Sequence, residues 1–344
     1  MAQSRLYKSA NRYKKRLAQL EEKALADMNR AYSASMASTL NEINKLEIKI
    51  SKLIDTGTDL PSIYNDMQDF FDARLNEIEN KIKKFSVNAE EITTESQKSA
   101  VKIGNDYAKD NIEASMGKPP KGFEFNINLL DSAAMEEFVG FASNGSPLND
   151  LFASIYSNYG TDITNIISTG IGEGKNPLYI AREIRKATNM PLFRANTIAR
   201  TENHRAARAS TVAAYKQNTD LISGYVRLAT GDSRTCAACY ALHGTVYELN
   251  QILPTHPNCR CVIVPKTKTW AEITGDNTIP EASDKIPSAE QLFGRLSEKD
   301  KKRVLGPERY NLWKEGKPLD TFVSIKNDEE WGPTTIIKPL RDLR

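Results

Sequence analysis

The sequence predicts an α+β protein that is mainly helical: a long N-terminal helical hairpin or coiled coil, then a small mixed module with a zinc-knuckle-like centre. Three observations predict it. Apolar residues recur at steps of three and four through most of the first 116 residues. Strand-like runs appear only after residue 220. All four cysteines fall between Cys236 and Cys261.

The elements follow in order. Leu6, Ala10, Tyr13, Leu17, Leu20, Ala24 and Met28 form a stripe that Met36, Leu40, Ile43, Ile50 and Ile54 continue. A seam this long suits a helix packed on a partner helix. Gly57 and Pro61 mark a stop and a restart. Ile63, Met67, Phe70, Phe71, Leu75, Ile78, Ile82 and Phe85 form a second stripe, expected to fold back antiparallel on the first. Pro119 and Pro120 close this helical arm, taken as residues 1–118. Short helices follow, the first capped by Asp131, with a turn at Asn144-Gly145-Ser146-Pro147. Glycines at 170, 172 and 174 separate a helix ending near Ile171 from one starting at Pro177, and Pro191 is read as opening a further helix to about Asn218. Tyr225–Leu228, Thr245–Tyr247 and Val262–Val264 read as strands, completing a module at 125–266. The tail, 267–344, is polar and is expected to dock through aromatic anchors, with Trp270, Trp313 and Trp331 as candidates.

A chain of 344 residues has room for two domains, or three, at ~150 residues each. With 40% hydrophobic and 26% charged residues it is neither low-complexity nor wholly disordered. No run of ~18 apolar residues offers a membrane span. The first residues lack the apolar stretch of a standard secretory signal. The net charge of +3 is too small to indicate nucleic acid by itself. The local charge is uneven, however. The first 16 residues carry six basic side chains and no acid, 59–95 holds nine acids against four bases, and 182–234 holds ten bases against four acids. The basic segments make Arg5, Arg12, Lys14, Lys15, Arg16, Arg194, Arg205 and Arg208 the candidates for nucleic-acid contact. Ordinary solvated helix faces are the competing account.

The sharpest chemistry is Cys236-Ala237-Ala238-Cys239 followed by His256-Pro257-Asn258-Cys259-Arg260-Cys261. A C-x-x-C knuckle brings two thiolates to one metal, and a second pair ~20 residues on completes a tetrahedron. The expected ligands are Cys236, Cys239, Cys259 and Cys261, with His256 as the alternative, around a structural zinc. Two disulfides are the competing use of these cysteines, and the missing secretory signal argues against them. The three histidines, His204, His243 and His256, do not form the pattern of a metal nuclease. Gly170-Ile171-Gly172-Glu173-Gly174-Lys175 resembles a phosphate loop only superficially, lacking the Ser/Thr after its lysine.

Ala199-Arg200-Thr201-Glu202, then Asp232–Cys239, Leu242-His243-Gly244 and His256–Cys261, occur in the order of a known family. Over about 160–266 the chain resembles the phage minor head proteins, also called head morphogenesis or Mu protein F-like proteins. Gly306-Pro307-Glu308-Arg309-Tyr310 resembles the tail of some members. The resemblance implies a virion component, made in the host cytoplasm and placed in the head interior or at the portal vertex. It would aid head assembly without enzymatic activity. The implied partners are the portal protein, the major capsid or scaffolding protein, and double-stranded DNA bound without sequence preference, with a part in DNA delivery. The alternative is a metal-dependent nuclease or an injected effector enzyme.

Overall fold

The computed structural model describes residues 5–142, 144–157, 159–232, 234–280 and 286–343. In chain order the elements are α1 (Arg5–Asp55), α2 (Leu60–Asp72), α3 (Leu75–Met116), α4 (Ser132–Glu136), α5 (Leu148–Ser157), α6 (Tyr159–Gly172) and α7 (Pro177–Lys216). Then come β1 (Ile222–Leu228), α8 (Ala237–Ala241), β2 (Val246–Tyr247), β3 (Val262–Thr267), α9 (Trp270–Thr274), α10 (Ala289–Gly294), α11 (Glu298–Leu305) and α12 (Pro307–Lys314). The strands β4 (Val323–Asp328) and β5 (Gly332–Ile337) follow. The mainly helical α+β class is therefore the observed one. The chain divides into two units: residues 1–20, 96–145 and 201–344 make one, and residues 21–95 with 146–200 make the other.

The helical unit is built on an antiparallel hairpin. Arg74 pairs with Glu42 at 2.8 Å, Lys81 reaches Thr39 at 3.1 Å, and Lys49 pairs with Asp66 at 2.6 Å. As one number rises the other falls, which is the signature of antiparallel helices. Met28, Met36, Ile43 and Ile50 are buried on α1, as are Ile63, Met67, Phe71, Ile78, Ile82 and Phe85 on α2 and α3. Each such side chain contributes roughly 1.5–3 kcal/mol by leaving water. The hairpin turns where Asp59 caps α2, its carboxylate accepting from the Ser62 N–H at 2.9 Å with Pro61 in the first turn.

The Pro191 reading needs correction: this proline lies inside α7 and opens no helix. It can donate no hydrogen bond to the turn before it. Ile180, Ile184, Ala187, Ala195 and Ile198, on both sides of it, are all buried. Packing on both flanks outweighs the local penalty and holds one 40-residue helix.

The mixed unit repeats the antiparallel pairing with other residues. The Tyr13 and Tyr107 rings stack at 3.8 Å, and Arg12–Asp110 and Arg16–Asp106 flank them at 3.5 and 3.2 Å. The last turns of α7 cross α3 at Gly104, where Ser210 Oγ donates to the Val101 carbonyl and Thr211 Oγ1 to that of Gly104. A three-stranded antiparallel sheet of order β2-β1-β3 packs Val226, Leu228, Val262 and Val264 against the two helices. The tail adds the hairpin β4-β5, and its core of Phe293, Leu305, Tyr310, Leu319 and Phe322 closes over α8. Trp270 packs edge-on to Phe123, Trp313 edge-on to Phe293, and Trp331 lies under the Arg205 guanidinium.

Candidate metal centre

Two loops converge at the end of the sheet. After β1, Asp232 closes a turn by accepting from Thr235 Oγ1 at 2.9 Å, which delivers Cys236 to the N-cap of α8. The Cys236 sulfur accepts the Cys239 N–H at 3.4 Å, so the knuckle is also a helix cap. The second loop leads into β3. Asn258 takes φ 64°, a left-handed conformation that asparagine tolerates better than most residues. Its N–H donates to Thr201 Oγ1 at 2.9 Å. Cys259 and Cys261 are two apart, so an extended backbone sends both to the same side. Both are buried while Arg260 between them is half-buried. The Arg208 guanidinium donates to the Cys259 and Cys261 carbonyls at 3.3 and 3.0 Å. From the tail, Thr255 is bridged to β5: its N–H donates to the Pro333 carbonyl and its carbonyl accepts from the Thr335 N–H.

All five expected donors meet here. They form two groups, Cys236–Cys239–His256 and Cys239–Cys259–Cys261, sharing Cys239. His256 Nε2 lies 3.1 Å from the Cys236 sulfur and 3.2 Å from that of Cys239, and the Cys239 and Cys259 sulfurs are 3.8 Å apart. Zinc–sulfur bonds of ~2.3 Å in a tetrahedron require sulfurs about 3.8 Å apart, so the spacing fits. His256 Nδ1 is 2.8 Å from the Pro257 carbonyl. An N–H given to a backbone carbonyl is the usual way to aim the opposite nitrogen at a metal. The four cysteines are free of disulfides.

The electrostatics suit ligation. The Cys239 side chain beside it, with His256, holds the Cys236 thiol down at about 4. Burial alone would lower His256, but the Cys236 and Cys259 sulfurs lift it to about 10. Without a metal both shifts favour an imidazolium facing a thiolate, and a metal that takes His256 as a ligand would displace that proton.

The other histidines sit elsewhere. His243 is buried, its Nδ1 accepting from the Ala229 N–H at 3.0 Å, and His204 is buried in α7. Among the described residues, neither joins a cluster of potential metal ligands, and no carboxylate does. The basic candidates divide. Arg5 and Lys15 are exposed, as are Arg12 and Arg16 in their ion pairs. Lys14 reaches the Ala229 carbonyl at 3.4 Å, and Arg194 is half-buried. Arg205 donates to Thr255 Oγ1 and the Trp331 carbonyl, while Arg208 holds the cysteine loop.

Sequence reasoning missed Thr201 and Arg208 as supports of the loop, and Arg227 altogether. The last had a signal: an arginine inside the apolar run Tyr225-Val226-Arg227-Leu228. A charged residue in a buried strand needs a partner close by.

Residues 161–264 match the family described as Phage Mu protein F like protein. The span takes in α7, β1, β2, the start of β3 and both ligand loops, and it supports a phage Mu protein F-like head morphogenesis family, as the motifs implied. No curated protein and no solved structure matches the chain. Among the described residues, no helix is long and apolar enough to cross a membrane.

Proposed function

We propose, from the Mu protein F-like module at 161–264, that this chain is a minor capsid protein that works in phage head morphogenesis at the portal vertex. The module match is the observation that carries the reading. In it residues 1–118 act as the helical arm, 125–266 as the head module and 267–344 as the docked tail. The arm offers the surface for the portal protein and for capsid or scaffolding subunits. The protein works by binding, and its chemistry is that of a structural metal. Cys236, Cys239, Cys259 and Cys261 hold a zinc ion, with His256 as the alternative ligand. The bound ion supplies cross-linking between the loop after β1 and the loop before β3. The residues of the chain supply the rest: Thr201 and Arg208 fix the second loop, and α8 fixes the first.

An auxiliary contact with packaged DNA falls to the exposed basic residues of the first helix, Arg5, Arg12, Lys15 and Arg16. Such binding is independent of sequence and falls steeply with salt, because released counterions drive it.

The test is electron microscopy of particles made with and without the protein, with copurification of the portal. Density at the portal vertex that disappears in the deletion particles is expected. Normal packaging and delivery by particles lacking the protein would overturn the role in head assembly. Replacing Arg5, Arg12, Lys15 and Arg16 together should weaken DNA retention and leave portal copurification intact. Lost copurification with DNA retention unchanged would make the basic stretch a protein-binding element.

A further inference from the structure

Arg227 stands at the centre of the three-stranded sheet, on β1, paired in register with Ile263 of β3. Its side chain is among the largest that are fully buried. One terminal nitrogen, Nη1, donates to the Pro254 carbonyl at 2.7 Å. The other, Nη2, faces three sulfurs: Cys239 at 3.4 Å, Cys261 at 3.6 Å and Cys259 at 3.7 Å. Among the described residues it has no carboxylate partner.

A guanidinium keeps its proton in a protein. A buried one must meet an opposite charge, since an isolated ion out of water is among the costliest arrangements a fold can contain. The Pro254 carbonyl is neutral, so the opposite charge has to lie on the sulfurs. Three bare thiolates would in turn repel one another. A divalent cation bound by thiolates resolves both problems. With three thiolates and a neutral imidazole the metal site carries one net negative charge, and with four thiolates it carries two. Arg227 cancels the first and halves the second.

We propose that Arg227 is the fixed counter-charge of the metal–thiolate centre and positions Cys239, Cys259 and Cys261 by N–H···S hydrogen bonds. The proposal rests on the metal reading above. It extends that reading by naming a residue that touches the ligands and not the metal, and by explaining why an arginine occupies the middle of a buried strand. Arg208 is a contrasting case: it is also buried beside the site, but it grips the backbone carbonyls of the same loop.

The test is cobalt(II) titration of the reduced full-length protein, for the wild type, Arg227→Met and Arg227→Lys. The readouts are stoichiometry, affinity against a competing chelator, and the energy of the sulfur-to-cobalt charge-transfer band. Outer hydrogen bonds to metal ligands typically account for ~10–100-fold in metal affinity. Arg227→Met is expected to bind one cobalt with affinity lower by about that factor. Its charge-transfer band should move to lower energy, because sulfur lone pairs that lose a positive donor are easier to oxidise. Arg227→Lys keeps the charge and should recover at least half of the loss on a logarithmic scale. Wild-type affinity and an unmoved band in Arg227→Met would overturn the proposal. Lysine as poor as methionine would also overturn it, by reducing Arg227 to packing. If Arg227→Met does not fold in excess zinc, the lysine variant carries the test, and failure of both to fold is again a refutation. Absence of cobalt binding by the wild type would instead remove the metal reading itself.

Discussion

Gly104 is a site where two well-known effects oppose each other, and the structure says which prevails. It lies within α3, where alanine is intrinsically better than glycine by about 1 kcal/mol. A Cβ built there would sit inside van der Waals contact with the Ala207 carbonyl oxygen and Ser210 Oγ, and 2.9 Å from the Ala207 carbonyl carbon. Two of those atoms are backbone of α7, so no side-chain rotation relieves the clash, and the helices must separate. Overpacking of this kind costs about 1–3 kcal/mol. The separation also stretches the Ser210 bond to Val101 and the Thr211 bond to Gly104, now 2.8 and 2.9 Å, at about 1 kcal/mol each. Against a gain of about 1 kcal/mol, Gly104→Ala should lose roughly 2–4 kcal/mol net. At ~2–4 °C per kcal/mol for a unit of this size, the melting temperature should fall by about 10 °C. The measurement is calorimetric unfolding of the full chain. The control is Gly172→Ala, in α6, where no atom lies within 4 Å and the variant should be neutral or more stable. A Gly104→Ala protein as stable as wild type would show that the two helices do not cross this closely.

Three further outcomes are expected. Pro191→Ala restores a donor to the interior of α7, and the helix gain of up to ~3 kcal/mol should exceed the loss of a buried ring, so amide exchange around 187–195 should slow; faster exchange would mean that the proline is held for its packing. Burial, with Lys14 near, holds His243 down at about 4, below its free value of 6.5; its contribution to stability is present above 6.5 and lost as pH falls toward 4. Denaturant midpoints should therefore drop across that window by less in His243→Gln than in wild type. Finally, with the Cys239 thiol pushed up by its Cys236, Cys259 and Cys261 neighbours and His256 near 10, metal binding releases protons from whichever of them ligate, so zinc affinity should climb with pH, and a flat profile from pH 5.5 to 8.5 would contradict ligation by these groups.

What could be read from sequence follows the range over which each signal acts. The stripes of α1 and α3 are local and periodic, so the hairpin was legible, as was Asp131 as a cap, whereas the Asp59 cap beside the Pro61 restart went unread. The C-x-x-C knuckle was legible for the same reason, and His256 and the C-x-C pair came with it because tetrahedral ligation constrains spacing. Pro191 misled, because its cost is local while the packing that offsets it comes from residues far along the chain. The tail hairpin was overlooked: Val323, Ile325 and Lys326 alternate only weakly, and half of β4 faces solvent. Arg205 and Arg208 illustrate the same limit. Basic residues on a helix read alike in sequence, and only the fold distinguishes Arg208 beneath a loop from Arg12 at the surface.

The ligand loop has no regular structure of its own, and its order comes from three distant segments. Thr201 and Arg208 reach it from α7, Arg227 from the sheet, and Pro333 and Thr335 from the tail. Each segment supplies two or three hydrogen bonds, which contribute about 1 kcal/mol apiece and would not hold a loop of this length singly. The same cysteines extend the linkage in the other direction. Cys236 caps α8 and Cys239 lies within it, and its Ala237, Ala238, Tyr240 and Ala241 form the floor of the tail core with Phe293 and Phe322. A metal bound by both loops would thus tie the tail core to the sheet through α8, as well as closing the loops. The sequence is economical in this respect. Five donors within 26 residues add a cross-link at a point where the apolar contacts of α7 with the sheet and of α8 with the tail already converge. A cross-link at the point where α7, sheet and tail meet would restrain all three at once, whereas the same bonds placed at any one of them would restrain only that one.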